Sequence, residues 1–376
     1  MRTTAGVLAR IAAAAIALSL AVGVDAQESS DLLAPEGRTI EFRGLTMGAT
    51  FLVKVVPGPN PLDSRSRREL DRVLRGSLDR IDQLMSTWDR DSELSRFNRS
   101  TSLEPFPLSL ETFEVLQWSL KLAVLTGGAL DVTVGPLVDA WGFGPGGPRN
   151  RQPTGDEIAR MREATGPHRI ELDPVALTAR KSRPEVRCDL SALAPGYATD
   201  RLWSELANRG FTDFLVDVGG ELRTRGRNER REPWRVAIDR PQPGSRDIQR
   251  IVPVSDLAIA TSGDYRRYRE VNGRRVAHVV DPRTGRPIAH RLASVTVIDE
   301  LAVRADGLST ALMVLGTDEG FSLAEKLHLA ALFIERTDEE FSERATRRFE
   351  AITSSDPRQP SHAHVRRPGR VPVAAH

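Results

Sequence analysis

The feature that most constrains the fold of this chain is the order of its strand-like segments. Short runs rich in β-branched and apolar residues occur at residues 50–56, 214–218, 234–239, 257–261, 276–280 and 293–298. In the second half of the chain these runs follow one another with no helical pattern between them. That order favours antiparallel pairing, because a doubly wound parallel sheet needs a helix between successive strands. The sequence therefore predicts an α+β fold in which antiparallel sheets are flanked by helices.

Helices are predicted between and before these strands. Apolar residues at three- and four-residue spacing, ended by glycine or a polar stretch, predict helices over residues 67–85, 109–126 and 196–209. Thr154 is followed three positions later by Glu157, which is a capping box and predicts the start of a further helix.

Composition restricts the class of protein. The 376 residues include 53 Lys and Arg against 51 Asp and Glu, which gives a formal net charge of +2, and 40% of the residues are hydrophobic. This balance is typical of a globular protein and disfavours nucleic acid as a partner. The length allows one large domain or two fused ones.

The first residues resemble an export signal. Arg2 precedes a small and apolar run over residues 6–24, and a small-x-small cleavage pattern follows at residues 24–26. The alternative is an uncleaved membrane anchor, but the apolar core after Arg10 is short for a span of roughly 20 residues. We therefore expect a signal peptide over residues 1–26 and a mature chain without a transmembrane segment.

The rest of the chain is predicted to hold one folded domain over residues 27–350. Residues 351–376 are rich in Pro, Arg and His without periodicity, which predicts a disordered tail. Cys188 is the only cysteine, which excludes an intramolecular disulfide, a cysteine-based metal site and lipid attachment at the processed end. The prediction is a soluble protein in the periplasm or another exported compartment.

The densest cluster of reactive groups lies in residues 277–287. A predicted strand brings His278 and then Asp281 to a turn rich in proline and glycine, with Thr284 close behind. An imidazole, a carboxylate, a hydroxyl and guanidinium groups therefore lie within one short segment. The alternative interpretation is a polar hairpin turn with a solvated histidine.

Asp306 and Thr310 lie four residues apart in a segment with a helical pattern. Residues at this spacing project from one helix face, so a carboxylate and a hydroxyl could together bind a hard cation such as Mg²⁺. An aspartate near a helix start is also common as a cap. Strand ends at residues 217–221 and 261–264 offer backbone N–H groups for phosphate, although such glycine-containing ends are usually tight turns.

Several further segments complete a pattern when they are taken in chain order. They are residues 46–50, Trp88 and its neighbours, 129–137, 141–144, 189–200, 217–221, 261–265, 278–287 and 306–310. Together these segments resemble the ApbE family, the FAD:protein FMN transferases. The resemblance covers nearly the whole predicted mature chain.

The resemblance implies a T-fold-like α+β architecture and a Mg²⁺-dependent enzyme that binds FAD. Such an enzyme transfers the FMN half of FAD to a Thr or Ser hydroxyl of a target protein and releases AMP. By the same resemblance, Mg²⁺ would be held by Asp306, Thr310 and the main-chain carbonyl of Ala192. FAD would be contacted by Met47, Trp88, Ala129, Leu130, Asp131, Asp189, Pro195 and Val280, with Met47 and Trp88 flanking the isoalloxazine.

His278 would lie near the acceptor hydroxyl and act as general base, with Asp281 as the alternative base. The chain departs from the family pattern at Pro195, where the family carries lysine, so an ammonium contact to phosphate or flavin is missing. Two alternatives to flavin transfer stay open. One is Mg²⁺-dependent hydrolysis of FAD to FMN and AMP, and the other is FAD binding without catalysis.

Overall fold

A computed structural model of the chain describes residues 39–354, apart from 59–61, 150, 245–246, 266–267, 272–273 and 339. The predicted signal segment, residues 1–26, and the last part of the predicted tail, 355–376, lie outside the described residues. The final described helix ends at Thr353, so the predicted domain boundary at residue 350 falls inside a helix. In the described part of the chain, no helix is both long and apolar enough to cross a membrane.

The helices are α1 (Ser64–Met85), α2 (Glu93–Arg99), α3 (Leu110–Leu125), α4 (Gly135–Ala140), α5 (Gly155–Arg162), α6 (Ala194–Asn208), α7 (Ala302–Lys326) and α8 (Arg347–Thr353). Short 3₁₀ turns occur at Val132–Val134 and Pro167–Arg169. Residues that cap helix starts are visible in the sequence: Asp63 accepts the Ser66 N–H at α1, and the capping box predicted at Thr154 is present at α5.

The strands are β1 (Ile40–Thr46), β2 (Ala49–Val55), β3 (Phe106–Pro107), β4 (Ile170–Asp173), β5 (Thr178–Lys181), β6 (Phe214–Val218), β7 (Glu221–Arg225), β8 (Trp234–Asp239), β9 (Ile248–Val254), β10 (Ala258–Gly263), β11 (Tyr268–Val271), β12 (Arg274–Ala277), β13 (Val280–Asp281), β14 (Arg286–Pro287), β15 (Leu292–Asp299), β16 (Ala330–Arg336) and β17 (Phe341–Ala345).

The main sheet has eight strands in the order β1-β2-β6-β7-β10-β15-β16-β17. Every neighbouring pair in it is antiparallel. The predicted α+β class with antiparallel sheets is therefore confirmed.

The two faces of the main sheet are covered differently. Helices α1, α6 and α7 pack on one face, where Val216 and Val297 join the largest core. The β8–β9 hairpin and α8 cover the other face, where Leu215 and Ile298 belong to a second core with Trp234. Successive strand residues thus enter different cores, as the alternation of side chains along a strand requires.

A third, smaller core joins α4 and α5 to the segment that carries the reactive cluster. It contains Leu137, Trp141, Ile158 and Val280. Because Val280 is the first residue of β13, this core fixes the position of that strand relative to α4 and α5.

The prediction of one strand over residues 276–280 is wrong in part. Strand β12 ends at Ala277 and β13 begins at Val280, so His278 lies in the break between them. The break arises because β12 pairs with β11, whereas β13 pairs with β14 and the Ile288 N–H donates to the Val279 carbonyl over 3.0 Å. The break leaves His278 half-buried outside the regular ladder.

Candidate active site

The start of α6 meets α7 at a close approach that glycine makes possible. The Gly196 N–H donates to Asp306 Oδ2 over 3.0 Å. A Cβ at position 196 would lie 2.5 Å from the Ala302 carbonyl oxygen, so a larger residue would push the two helices apart. Gly196 therefore sets the distance between the α6 start and the Asp306 carboxylate.

Asp306 is a buried carboxylate in acidic surroundings. Burial, and after it the Glu221 carboxylate, raise its pKa well above the usual value, while the hydrogen bond from Gly196 opposes the rise. Among the described residues no Lys or Arg forms an ion pair with Asp306. A cation bound here would compensate the buried negative charge of Asp306 and Glu221.

Asp200 connects the same two helices. Its carboxylate accepts the N–H groups of Ala302 and Val303, each over 3.0 Å, and so caps α7, whose own N-cap residue Leu301 offers no side-chain acceptor. Arg223 pairs with it over 2.8 Å, and this bond opposes the effect of burial, which raises the pKa of Asp200. Asp200 thereby holds α7 in place relative to α6.

Thr310 lies one turn after Asp306 on α7, as the four-residue spacing predicted. Its Oγ1 is 2.9 Å from Ser262 Oγ at the end of β10. Ser262 Oγ is also 2.9 Å from Ser309 Oγ, and Ser309 donates to the Asp306 carbonyl over 2.9 Å. The side chains of β10 and α7 thus form a connected chain of hydroxyl groups beside Asp306.

Ala192 lies in the turn immediately before α6. In a continued helix the Gly196 N–H would donate to the Ala192 carbonyl, but that N–H is bonded to Asp306. The described backbone hydrogen bonds contain none to the Ala192 carbonyl oxygen. The three predicted metal ligands therefore lie on the two segments that meet here, which are the turn before α6 and helix α7.

The predicted ligand set differs from a cluster of acidic or histidine side chains. In the described residues there is no group of three or more His, Cys, Asp or Glu side chains placed to hold a metal ion. Asp306, Thr310 and Ala192 instead offer a carboxylate, a hydroxyl and a carbonyl oxygen. An all-oxygen set of this kind matches the preference of Mg²⁺, which also keeps several waters.

Pro195 occupies the second position of α6, where a missing N–H costs little because the first turn has no partner for it. Its Cβ is 3.8 Å from the point where a Cβ at Gly219 would lie, and the Ala49 Cβ is 3.7 Å from the same point. Pro195 is thus adjacent to the β6–β7 turn and to the start of β2. The lysine expected from the family pattern is replaced by a residue that fits the helix start.

Met47 forms the tight turn between β1 and β2 together with Gly48. Their φ angles are 47° and 71°, so both are in the left-handed region. For methionine this costs about 1–2 kcal/mol. Met47 also packs against the largest core, so the fold holds a large side chain at a strained position.

Trp88 follows the C-terminus of α1 and is 63% exposed. Its backbone N–H donates to Ser86 Oγ over 3.3 Å, and Ser92 and Ser95 both donate to the Ser86 carbonyl. The backbone around Trp88 is therefore anchored while the indole faces solvent. An exposed aromatic side chain on an anchored loop is suited to stack on a planar ligand.

The segment 129–131 follows α3 and lies beside residue 189. Ala129 and Leu130 are buried, and Asp131 caps the 3₁₀ turn with Thr133, which donates to it over 2.7 Å. Burial raises the pKa of Asp131. The Asp189 N–H donates to the Val132 carbonyl over 2.7 Å, which brings the two predicted FAD-contacting segments side by side.

His278 and Asp281 occupy the break and the turn after β12. The His278 ring makes an edge contact with Phe143, with centroids 6.3 Å apart. Asp281 is buried and accepts the Arg283 N–H over 2.8 Å and its Nη2 over 3.0 Å. The Asp281 carboxylate thus accepts hydrogen bonds within its own turn, whereas the His278 ring contacts Phe143.

The residues that follow α4 hold the β13–β14 turn in place. Trp141 Nε1 donates to the Gly285 carbonyl over 2.9 Å, and both groups are covered by the third core. Gly285 has a φ of 71°, and a Cβ there would lie 2.6 Å from Ile158. The turn can pass under α5 only with glycine at this position.

Several of the predicted residues are linked by contacts, as Asp306 is to the start of α6 and Asp189 to Val132, and further residues join them that the sequence patterns did not indicate. Those missed are Asp200, Glu221, Ser262, Ser309, Trp141 and Phe143. All six lie inside segments that the sequence patterns had indicated, but several of their partners are distant along the chain. Trp141 and Gly285, for example, are separated by 144 positions.

Comparison with known proteins gives a consistent set of matches. A profile described as the ApbE family matches residues 47–333. A curated FAD:protein FMN transferase from Vibrio cholerae serotype O1 is 42% identical over 316 residues, which cover 84% of this chain and 93% of that protein.

Solved structures give the same result for the fold. The flavin transferase ApbE from Vibrio cholerae matches with a TM-score of 0.76 at 41% identity, covering 84% of this chain and 99% of that one. The apo form of the Pseudomonas stutzeri flavinyl transferase ApbE matches with a TM-score of 0.77 at 36% identity, covering 85% and 98%.

Proposed function

The chain belongs to the ApbE family, and on this premise we propose that it transfers the FMN half of FAD to a Thr or Ser hydroxyl of a target protein. The reaction is Mg²⁺-dependent and releases AMP. FAD is the substrate, and the product is a target protein that carries a covalent flavin.

The observation that carries the metal part of this proposal is the environment of Asp306. Its carboxylate is buried beside Glu221, and burial together with that neighbour raises its pKa. Asp306, Thr310 and the Ala192 carbonyl would hold the cation, and the oxygen chemistry of this set fits Mg²⁺. A bound Mg²⁺ would neutralise the charge of the pyrophosphate during transfer.

Two regions support the binding of FAD. Trp88, which is exposed, and Met47, which is held in a strained turn, supply apolar surface for the isoalloxazine. The adjoining segments supply the remaining proposed contacts, which are Ala129, Leu130, Asp131, Asp189, Pro195 and Val280. Ala129, Leu130 and Val280 are buried apolar residues, so their polar contacts to FAD would come from backbone groups.

The chemical step exchanges the phosphoanhydride bond of FAD for a phosphoester bond to the acceptor. The acceptor oxygen forms a bond to the FMN phosphorus, the pyrophosphate P–O bond breaks, and AMP leaves with the bridging oxygen. The acceptor proton passes to His278, whose imidazole can take it as a general base. Asp281 is the weaker candidate for this role because its carboxylate already accepts hydrogen bonds from Arg283.

Export is part of the proposal, since it rests on the sequence of residues 1–26. A mature protein that begins near Gln27 would meet its target protein outside the cytoplasm. The intact mass of the protein purified from its native host decides this point: a mass that includes Met1 would contradict cleavage.

Product analysis tests the activity. The protein is incubated with FAD, MgCl₂ and the exported and membrane proteins of a host strain in which its gene is deleted, so that target proteins lack flavin. In-gel flavin fluorescence, mass spectrometry and AMP quantification are then compared. Covalent flavin in equal amount to AMP supports transfer.

Two other results would replace the proposal. Free FMN and AMP without covalent flavin would identify an FAD hydrolase. Bound FAD with neither product would identify an FAD-binding protein without catalysis.

A further inference from the structure

The hydroxyl chain formed by Thr310, Ser262 and Ser309 has a direction that follows from its contacts. Ser309 Oγ lies 2.9 Å from the Asp306 carbonyl oxygen. A carbonyl oxygen only accepts, so the single hydrogen of Ser309 is used in this bond. Ser309 must therefore accept in its 2.9 Å contact with Ser262, and the hydrogen of Ser262 is used there.

The remaining contact is then determined. Ser262 has no hydrogen left for its 2.9 Å contact with Thr310, so the Thr310 hydroxyl donates and Ser262 accepts. Any other assignment places two oxygen atoms at 2.9 Å with no hydrogen between them. The hydrogen of Thr310 is thus turned toward β10, and its remaining lone pairs are available on the other side.

Ser309 also blocks a competing bond. A threonine inside a helix commonly donates to the carbonyl four residues earlier, which for Thr310 is the carbonyl of Asp306. Ser309 already donates to that carbonyl from three residues away. The side chain of Ser309 is fully buried, so solvent does not replace it in this bond.

From these contacts we propose that Ser262 and Ser309 are positioning residues that hold the Thr310 hydroxyl as an acceptor for a divalent cation at Asp306. The inference rests on the metal site of the proposed function and adds residues that act through Thr310 rather than on the cation. It also gives the end of β10 a role in orienting a hydroxyl, where the sequence indicated a backbone phosphate contact or a simple turn.

Cation affinity in protein free of FAD tests this arrangement. Binding of MnCl₂ is followed by electron paramagnetic resonance, and MgCl₂ is measured by competition. Ser262→Ala should raise both dissociation constants about 10- to 100-fold, which is typical when a partner of a metal ligand is lost. Ser262→Thr retains a hydroxyl and should bind close to wild type.

Ser309→Ala is a second variant, in which alanine is the better helix former in α7. It should weaken cation binding in the same way, since the hydrogen of Ser262 is then free to turn toward Thr310. Thr261→Val is the matched control, because Thr261 precedes Ser262 in β10 and its hydroxyl lies 2.8 Å from that of Thr296 in β15. The substitution breaks this hydroxyl pair and should leave cation affinity unchanged.

Unchanged affinity in folded Ser262→Ala would overturn the proposed role of the hydroxyl chain, and so would an equal loss in Ser262→Thr and Ser262→Ala. Absence of any Mn²⁺ or Mg²⁺ binding to the wild-type protein would overturn the metal site itself. The wild-type titration thus distinguishes an error in the proposed role of the hydroxyl chain from an error in the metal assignment.

Discussion

At the scale of single residues, the site combines groups that are unfavourable for folding alone. Asp306 places a carboxylate among buried neighbours, and Met47 has a positive φ that methionine rarely adopts. Such features persist when the surrounding structure enforces them, and they cluster at sites of ligand binding. His278 and Pro195 are tested separately. His278 is proposed to accept a proton, whereas Pro195 replaces an expected lysine.

We expect His278→Ala to slow covalent flavin attachment by roughly a hundredfold or more, the usual cost of losing a general base. Equilibrium FAD binding should change little, because the proposed flavin contacts lie on other segments. Single-turnover transfer and FAD titration are measured on the same preparation. Transfer at the wild-type rate would remove the role of His278 and return Asp281 as the candidate base.

Pro195→Lys should tighten FAD binding by restoring a cation beside the ligand without adding a base. The helix start tolerates the change, although loss of the proline ring costs about 0.4–1 kcal/mol of stability. Pro195→Met is the control that removes the ring without adding charge. Weaker FAD binding by the lysine variant, measured by flavin fluorescence, would show that the site is built around proline.

At the scale of elements, the α4 loop and the β13–β14 turn behave as one unit. Trp141 reaches across the chain to the Gly285 carbonyl, and Phe143 contacts His278. The position of the imidazole therefore depends on a helix that carries none of the proposed ligands of Mg²⁺. A substitution that removes the Trp141–Gly285 hydrogen bond should slow proton transfer while ligand binding changes little.

Trp141→Phe tests this unit because it removes only the N–H group and a small volume. The buried Gly285 carbonyl then lacks its donor, which costs about 1–3 kcal/mol. We expect slower transfer with nearly unchanged FAD affinity. Trp118→Phe, on a half-buried tryptophan of α3, is the control. Equal effects of the two substitutions on transfer would argue against a specific role of the Trp141–Gly285 hydrogen bond.

Local signals explain which elements the sequence predicted. Helix starts are marked by adjacent residues, as at Thr154, and the α3 end is marked by two glycines with positive φ. The sequence does not predict the break at His278, because its cause is the pairing of β12 with β11 and of β13 with β14. The hydroxyl chain was missed because Ser262 and Thr310 are 48 positions apart.

At the scale of the whole molecule, the sheet order brings distant segments to one junction. Strand β2 pairs with β6 across a long insertion that holds α1 to α6, and β10 lies between β7 and β15. The alternating strands indicated antiparallel sheets but not this order, because register and order depend on which faces the helices cover. The proposed site residues that local patterns could not indicate come from the resemblance to the ApbE family.

The Mg²⁺ dependence of flavin transfer is the strictest test of the proposed reaction and of its metal site. Covalent flavin and AMP are measured in MgCl₂ and in EDTA for wild type, Asp306→Asn and the matched control Asp318→Asn, which changes an exposed carboxylate of the same helix. We expect equal amounts of covalent flavin and AMP in MgCl₂ for wild type and control, and neither product in EDTA or in Asp306→Asn. Full transfer by wild type in EDTA, or by Asp306→Asn in MgCl₂, would show that the proposed metal site is not required for the reaction.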